Sequence, residues 1–335
     1  ETPGGLKVQT IHALCTRLLQ QFPFEANVPA RFAVLDDRDQ AEMLERASLA
    51  VMLDASRAPD SAIGRALLAA MANAADVTFK EIVREACLSR DHFMAWTDAA
   101  GDANAATHQV SEVLGLDVSD RLDEVEREIV DGPDLPRARW QQAADALATS
   151  SNADRTQAGR LLDAIRATDT AQVDEYLTIF LTETDRLPRK SVVTKKFSDA
   201  NPALGRLFDA EARRLPALIE KRRAIQVRDR TEALLHIAIA VAANYRREKQ
   251  ERGLLDYDDL IDRTLALLAS GASGWVHYKL DRGVDHVLID EAQDTSPRQW
   301  DIIAHVISEF TTGAGARDGV VRTVFAVGDE KQSIF

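Results

Sequence analysis

The chain has 335 residues, 45% of them apolar, enough to bury a sizeable core in one large domain or two. Its formal net charge of -13 argues against a uniformly basic surface, and its two cysteines, Cys15 and Cys87, stand far apart with no paired Cys/His spacing, which fits reduced thiols in a cytoplasmic protein and no structural zinc. No segment reads as a signal peptide, and no apolar run approaches the roughly 18 residues a membrane span needs, so no membrane partner is expected.

In chain order, Leu6–Thr10 reads as a strand ending at a polar residue. Ile11, Leu14, Cys15, Leu18, Leu19 and Phe22 then recur at helical spacing, with Thr10 in the N-cap position. A helix N-terminus with the Thr10 hydroxyl and the His12 imidazole beside it can hold a phosphate; the alternative is that Thr10 only caps and His12 is a surface histidine. Arg31–Leu35 is a brief extended piece, and Asp36 or Asp37 can cap the helix that follows. From there to about Arg252 nearly everything has a helical period. Val125 and Ile129, Trp140, Ala143 and Leu147, and Val173, Tyr176, Leu177 and Phe180 mark successive apolar stripes, with breakers such as Pro59, Gly101, Gly115, Pro188 and Pro202 between them. These stripes read as core packing, not as cofactor boxes.

Leu204 to Arg252 is one long helical stretch with a possible kink at Pro216; if continuous it spans on the order of 70 Å, the length of an arm or spine. Basic residues gather before and along it. Arg186 to Arg230 carries 13 Lys/Arg against 5 Asp/Glu, a balance of +8, which leaves -21 for the rest of the chain. A basic stripe of this kind, with Arg213, Arg214, Lys221, Arg222 and Arg223 at its centre, can bind a phosphate backbone or be a solvated helix face.

Gly253 fits a helix C-cap and Asp256 an N-cap, so the acidic run Asp256, Asp258, Asp259 reads as capping in preference to a metal site. Val287-Leu288-Ile289 then delivers Asp290 and Glu291 to a polar turn. An apolar strand ending in two carboxylates is how nucleotide hydrolases place an acid beyond the carboxyl edge of a sheet, where it can hold Mg²⁺ and act on water; taken alone, the same pair can equally be a plain surface turn of an α/β protein. Ser296 and Pro297 open another helix, with Trp300, Ile303, Ile307 and Phe310 expected to face the sheet. A second strand, Arg322–Val327, runs into Gly328-Asp329-Glu330-Lys331-Gln332, with Gly328 expected to allow a sharp turn.

The string DEAQDTSPRQW followed by FAVGDEKQSIF resembles motifs II and III of superfamily 1 DNA helicases of the UvrD/RecB type. Its wording is most similar to AddA, the helicase–nuclease subunit of bacterial double-strand-break repair, in its proteobacterial form. Thr10-Ile11-His12-Ala13-Leu14-Cys15 is similar to the family's T-x-H-S-F-C element, and Leu255-Asp256-Tyr257-Asp258-Asp259-Leu260 to its L-D-F-x-D-L segment.

The resemblance implies a mostly α fold with an α/β part. Residues 1–25 and 253–335 would pack together as a partial sheet of a P-loop-type, 1A-like motor domain, interrupted by a 1B-like helical insertion at 26–252 that lies near duplex DNA. It implies a parent that hydrolyses ATP with Mg²⁺ and moves 3′ to 5′ on DNA, with a nuclease outside this chain and an AddB-like partner subunit. By the same resemblance Asp290 would hold Mg²⁺, Glu291 would act on the attacking water, Gln332 would sense the γ-phosphate, and Thr10, His12 and Phe335 would line single-stranded DNA. Phe335 stands where Tyr is commoner, which keeps a stacking face and loses a hydroxyl.

Two departures limit the reading. The dipeptide Gly-Lys occurs nowhere, so no G-x-x-x-x-G-K-[ST] loop is present. The family's motifs IV to VI, with the arginine finger, would lie beyond Phe335. The chain begins at Glu1, not Met, and both ends read as cut from something longer. The 335 residues alone are therefore expected to turn over no ATP. The competing reading is a non-enzymatic module in which the helical part binds DNA or serves assembly with other chains. A RecB-like or UvrD-like relative would differ in its partners.

Overall fold

A computed structural model of the chain describes residues 8–71, 81–86, 89–182, 184, 186–269, 275–276, 285–308 and 321–332. The fold is mostly helical with small parallel sheets. It divides into two compact units, Glu1–Ala50 with Val241–Phe335, and Val51–Ala240. The first unit thus includes 26–50 and 241–252, stretches the sequence reading gave to the insertion.

In the first unit, α1 (Ile11–Gln21) starts where the Thr10 hydroxyl accepts the Ala13 N–H at 3.2 Å. Of the expected strand Leu6–Thr10, Leu6 and Lys7 lie outside the described residues, and 8–10 are irregular, with Val8 85% exposed, because a strand needs a neighbour to take its backbone hydrogen bonds and none of the described residues pairs there. Cys15 and Leu19 of α1, with Phe22 at its C-cap, pack on Leu260, Leu267 and Leu268 of α12 (Tyr257–Ala269), and Ile302 of α13 (Pro297–Ser308) joins the same core. Burial pushes the Cys15 thiol pKa up. The two flanks therefore meet through helices, and α13 buries the expected Ile303 together with Ile302, while Trp300 and Ile307 are half-buried; Phe310 lies outside the described residues.

Among the described residues the strands form two separate parallel pairs. β1 (Ala33–Val34) pairs with β2 (Leu254–Leu255), and β3 (His286–Ile289) with β4 (Thr323–Ala326) in the register His286 to Thr323 through Ile289 to Ala326. Between them, Gly253 adopts φ +63° and ends the long helix α11 (Pro202–Arg252), while Asp256 caps α12 by accepting the Asp259 N–H at 2.9 Å. Lys249 fills the space between these acids, 2.7 Å from Asp256 and 2.5 Å from Asp259, and the Tyr245 hydroxyl donates to Asp256 at 2.9 Å. The acids are thus committed to capping and to an internal cation. Among the described residues no three His, Cys, Asp or Glu side chains gather as metal ligands.

Among its described residues the second unit is helical apart from turns, loops and one isolated bridge, Leu181 to Pro188. After α2 (Asp37–Arg57), which the two units share, come α3 (Ala62–Met71), α4 (Arg90–Ala100), α5 (Ala103–Val113), α6 (Leu122–Val130), α7 (Trp140–Ala148), α8 (Asn152–Arg166), α9 (Asp169–Phe180), α10 (Lys195–Ala200) and the first part of α11. Its core is the set of stripes read from sequence. Trp140 and Tyr176 are fully buried and stack at 4.4 Å between centroids, with Phe180 edge-on to Tyr176 at 5.2 Å. The polar ends of both stacked rings are satisfied: Trp140 Nε1 donates to the Leu135 carbonyl at 3.0 Å and the Tyr176 hydroxyl to Glu211 at 2.8 Å. α11 runs through Pro216 without interruption, although proline cannot donate to the carbonyl one turn before it. No helix among the described residues is long and apolar enough to cross a membrane.

Candidate nucleotide site at the strand ends

The carboxyl ends of β3 and β4 are cross-tied before any side chain is considered. The Val327 N–H donates to the Ile289 carbonyl at 2.9 Å, and the Ala292 N–H returns to the Val327 carbonyl at 2.8 Å. The chain can double back this quickly because Glu291 takes the left-handed conformation, φ +52° and ψ +47°. That conformation costs a non-glycine residue about 1 kcal/mol or more. It leaves Asp290 and Glu291 exposed side by side at the strand end, with the Asp290 carboxylate accepting the Glu291 N–H at 3.1 Å.

Gln293 joins the two loops. Its amide nitrogen donates to the Glu291 carboxylate at 2.5 Å, and its carbonyl oxygen accepts the Asp329 N–H at 3.0 Å. Asp329 in turn organises the second turn: its carboxylate accepts the Lys331 N–H and the Gln332 side-chain amide, both at 3.0 Å. The Gln332 amide, with the Lys331 N–H, holds the Asp329 carboxyl below the usual range. Glu291, Gln293, Asp329 and Gln332 thus form one hydrogen-bonded chain.

Gly328 is required here for closeness, not for the positive φ that a sharp turn suggested; among the described residues only Gly101, Gly115 and Gly253 are glycines with positive φ. A Cβ on Gly328 would lie 2.7 Å from Gln293 Oε1 and 3.1 Å from both the Ala292 Cβ and the Gln293 nitrogen. Any side chain there would push the two loops apart.

The remaining expected site residues fall elsewhere. Thr10 caps α1, and the His12 ring rests against Tyr257 at 4.8 Å; no described contact ties either to Glu291. Phe335 lies outside the described residues. The five cations of α11 do not form one open face. Arg214 donates to both Glu211 oxygens, at 2.9 and 2.6 Å, and to the carbonyls of Glu128 and Ile129. Arg222 is 9% exposed, paired at 2.8 Å with each of Glu126 and Asp174. Lys221 meets Asp120 at 2.6 Å, which raises the ammonium pKa and lowers the carboxyl's. Arg213 and Arg223 remain exposed, the latter 2.8 Å from Glu220. The reading of the whole cluster as a DNA face therefore needs correction: Arg214 and Arg222 hold the helical unit together. Sequence reasoning also missed Gln293, although it stood within the quoted string; nothing local shows that it bridges to a turn 36 residues away.

Similarity to known proteins agrees with this geometry. The UvrD/REP helicase N-terminal domain family matches residues 3–335. An ATP-dependent helicase/nuclease of Listeria monocytogenes serotype 4a (strain HCC23) is 34% identical over 105 residues, 31% of this chain and 8% of that protein. One from Listeria innocua serovar 6a is 39% identical over 95 residues, 28% of this chain and 7% of the relative. ATP-dependent DNA helicase UvrD1 of Mycobacterium leprae (strain TN) is 33% identical over 109 residues, 31% of this chain and 13% of the relative. The chain thus matches only a small part of each relative's length.

Proposed function

The chain belongs to the UvrD/REP helicase N-terminal domain family, and from that premise we propose that it is part of an ATP-dependent DNA helicase that moves 3′ to 5′ on DNA. Its first unit supplies half of the nucleotide site. The observation that carries this reading is the hydrogen-bonded chain from Glu291 through Gln293 and Asp329 to Gln332. It couples the acid that would act on water to the amide that would face the γ-phosphate.

The residues suit Mg²⁺-ATP. Mg²⁺ is usually held by one or two carboxylates together with waters and substrate phosphates, not by a cage of protein ligands. An exposed Asp290 at a strand end, with Glu291 beside it, fits that pattern. When bound, the ion would neutralise charge on the β- and γ-phosphates. Glu291 would orient the attacking water and accept its proton. Gln332, fixed by Asp329, would report the presence of the γ-phosphate to the rest of the motor. Thr10, His12 and Phe335 would contribute to the single-strand path, and the exposed Arg213 and Arg223 to contact with duplex DNA.

Within the family, the motif wording and the helicase/nuclease relatives favour an AddA-type parent. Such a parent would act in cytoplasmic double-strand-break repair, with a nuclease elsewhere in its chain and an AddB-like partner. The test is the full-length protein carrying Glu291→Gln. Loss of DNA-stimulated ATP turnover and of strand separation, with nucleotide binding retained, is the expected result. Turnover at the wild-type rate would reject the assignment.

A further inference from the structure

The end of α11 and the start of α12 are joined by more than the Gly253 turn. Tyr245 and Lys249, one turn apart on α11, reach forward to Asp256 and Asp259, all within the first unit. Lys249 Nζ donates to the carboxylates of both acids and lies 4.7 Å from the centre of the Tyr245 ring. The two acids also serve each other's backbone: the Asp259 N–H donates to Asp256 at 2.9 Å, and the Asp256 N–H to Asp259 at 3.0 Å. Asp256 is fully buried, and Lys249 is 5% exposed.

A helix start needs only one Ser, Thr, Asp or Asn to cap it, so this arrangement exceeds what capping demands. Nor is stability its natural explanation. Taking three charges out of water is expensive, and an apolar set of similar volume commonly does as well. What the ions add is a single geometry. One ammonium must meet two carboxylates, and each carboxylate must also meet a backbone N–H, so the first turn of α12 has one position relative to the end of α11. Tyr257 is the first residue of that turn. Its ring is 38% exposed and rests on His12 of α1, with 4.8 Å between centroids. The bodies of α1 and α12 are held by the core they share through Cys15, Leu19, Leu260 and Leu267. The ring pair at their N-terminal ends depends on the first turn of α12.

From this we infer that Lys249 is a positioning residue for the single-strand path: through Asp256, Asp259 and the Tyr257 ring it sets where His12 presents its imidazole beside Thr10. Lys249 is too deeply buried to meet a phosphate itself, so it acts only through the residues it holds. Fixing a binding group in advance lowers the ordering cost when the ligand arrives. The inference deepens the reading of Thr10 and His12 as part of that path and rests on it.

The experiment measures ATP turnover by the full-length protein against the concentration of a single-stranded oligonucleotide. Lys249→Met keeps the length of the side chain and removes its charge. Asp259→Asn keeps an acceptor for the Asp256 N–H and removes one ion pair, a milder change to the same joint that carries the test should Lys249→Met fail to fold. A residue that positions a binding group changes half-saturation and leaves kcat alone. Lys249→Met should raise the half-saturating DNA concentration about tenfold, the loss of one well-placed contact, and Asp259→Asn about threefold. In both, kcat at saturating DNA should stay within about twofold of the wild type. In a His12→Ala background, which itself raises half-saturation, Lys249→Met should add less than about twofold, because both changes act on one contact. Unchanged half-saturation in both variants, a fall in kcat alone, or an equal rise with and without His12 would overturn the inference. An ineffective His12→Ala would remove the strand-path reading and the inference with it. None of these outcomes bears on the Glu291→Gln test, so the helicase reading stands or falls separately.

Discussion

Gln293 Oε1 accepts the backbone N–H of Asp329 at 3.0 Å, so a side chain from the loop after β3 fixes the main chain of the loop after β4. The same amide donates to Glu291. A change at either loop is therefore transmitted to the other through one planar group.

Replacing Gln293 separates these two bonds. Gln293→Glu keeps an acceptor for Asp329 and puts a carboxylate against that of Glu291, whereas Gln293→Ala removes both bonds. In the full-length protein, misplacing a water-orienting acid by a fraction of an ångström to 1 Å should lower kcat for ATP by about 10- to 100-fold, with little change in KM. Gln293→Glu should be the worse of the two. Steady-state ATPase kinetics of both variants would measure this, and wild-type kcat in either would show that the bridge is dispensable.

The left-handed backbone at Glu291 sets stability against activity. Glu291→Gly and Glu291→Ala both remove the carboxylate, so both should lower turnover by about 10²- to 10⁴-fold. Only glycine adopts φ +52° without strain, so Glu291→Gly should be more stable than Glu291→Ala by about 1 kcal/mol. Urea unfolding of the two variants would show it; equal midpoints would mean that the turn relaxes.

Asp154 should govern part of the acid sensitivity of the helical unit. Burial alone pushes its carboxyl up, but the Ser151 and Thr194 hydroxyls, the Thr194 N–H and the Ser150 hydroxyl outweigh this and bring it from 3.8 to about 2. The folded value lies below the unfolded one. The stabilisation is therefore complete above pH 3.8 and is lost as the pH falls toward 2. It amounts to about 2 kcal/mol. Asp154→Asn should cost about that much at neutral pH and flatten the curve of stability against pH between these limits. Urea midpoints across the acid range would test it, and parallel curves for the two proteins would refute it.

Arg222 and Arg223 are neighbours with opposite expected consequences. Removing Arg222 leaves the nearly buried Glu126 uncompensated beside a half-exposed Asp174, and Arg222→Ala should destabilise the unit by about 2–3 kcal/mol. Arg223 and Glu220 form an exposed pair, and Arg223→Ala should stay within about 0.5 kcal/mol of the wild type. Thermal unfolding of both variants would distinguish them; similar losses would mean that the Arg222 pairs contribute no more than a surface contact.

What could be read from sequence was what is local. The Thr10 cap, the Gly253 C-cap and the Asp256 N-cap depend on residues within a turn of one another. So does the capping box in which Ser296 and Gln299 serve each other's N–H groups. The apolar stripes through Trp140 and Tyr176 follow a 3.6-residue period whatever they pack against. The partners of the α11 cations were hidden because they are distant in sequence: Glu126 lies 96 residues from Arg222 and Asp174 lies 48. A basic run looks the same whether its counter-charges are solvent, DNA or carboxylates on α6 and α9. At the strand ends the acids stood out by type, while Gln293 and the crowding at Gly328 exist only once two separate turns meet.

The pairing of Ala33 with Leu254 has a consequence for how the chain reaches its native state. Bringing together residues roughly 220 positions apart costs on the order of 5 kcal/mol of chain entropy before β1 and β2 gain anything. The helical unit builds its core from the unbroken stretch Val51–Ala240, where a closure such as Glu126 to Arg222, 96 residues apart, costs slightly less, on the order of 4 kcal/mol, and nearer neighbours less again. If that stretch condenses first, most of the intervening chain is already ordered and the remaining closure is cheaper. The order of events is then set by connectivity: the interrupted unit waits, its Phe22 and Leu19 exposed, until residues after 240 have left the ribosome.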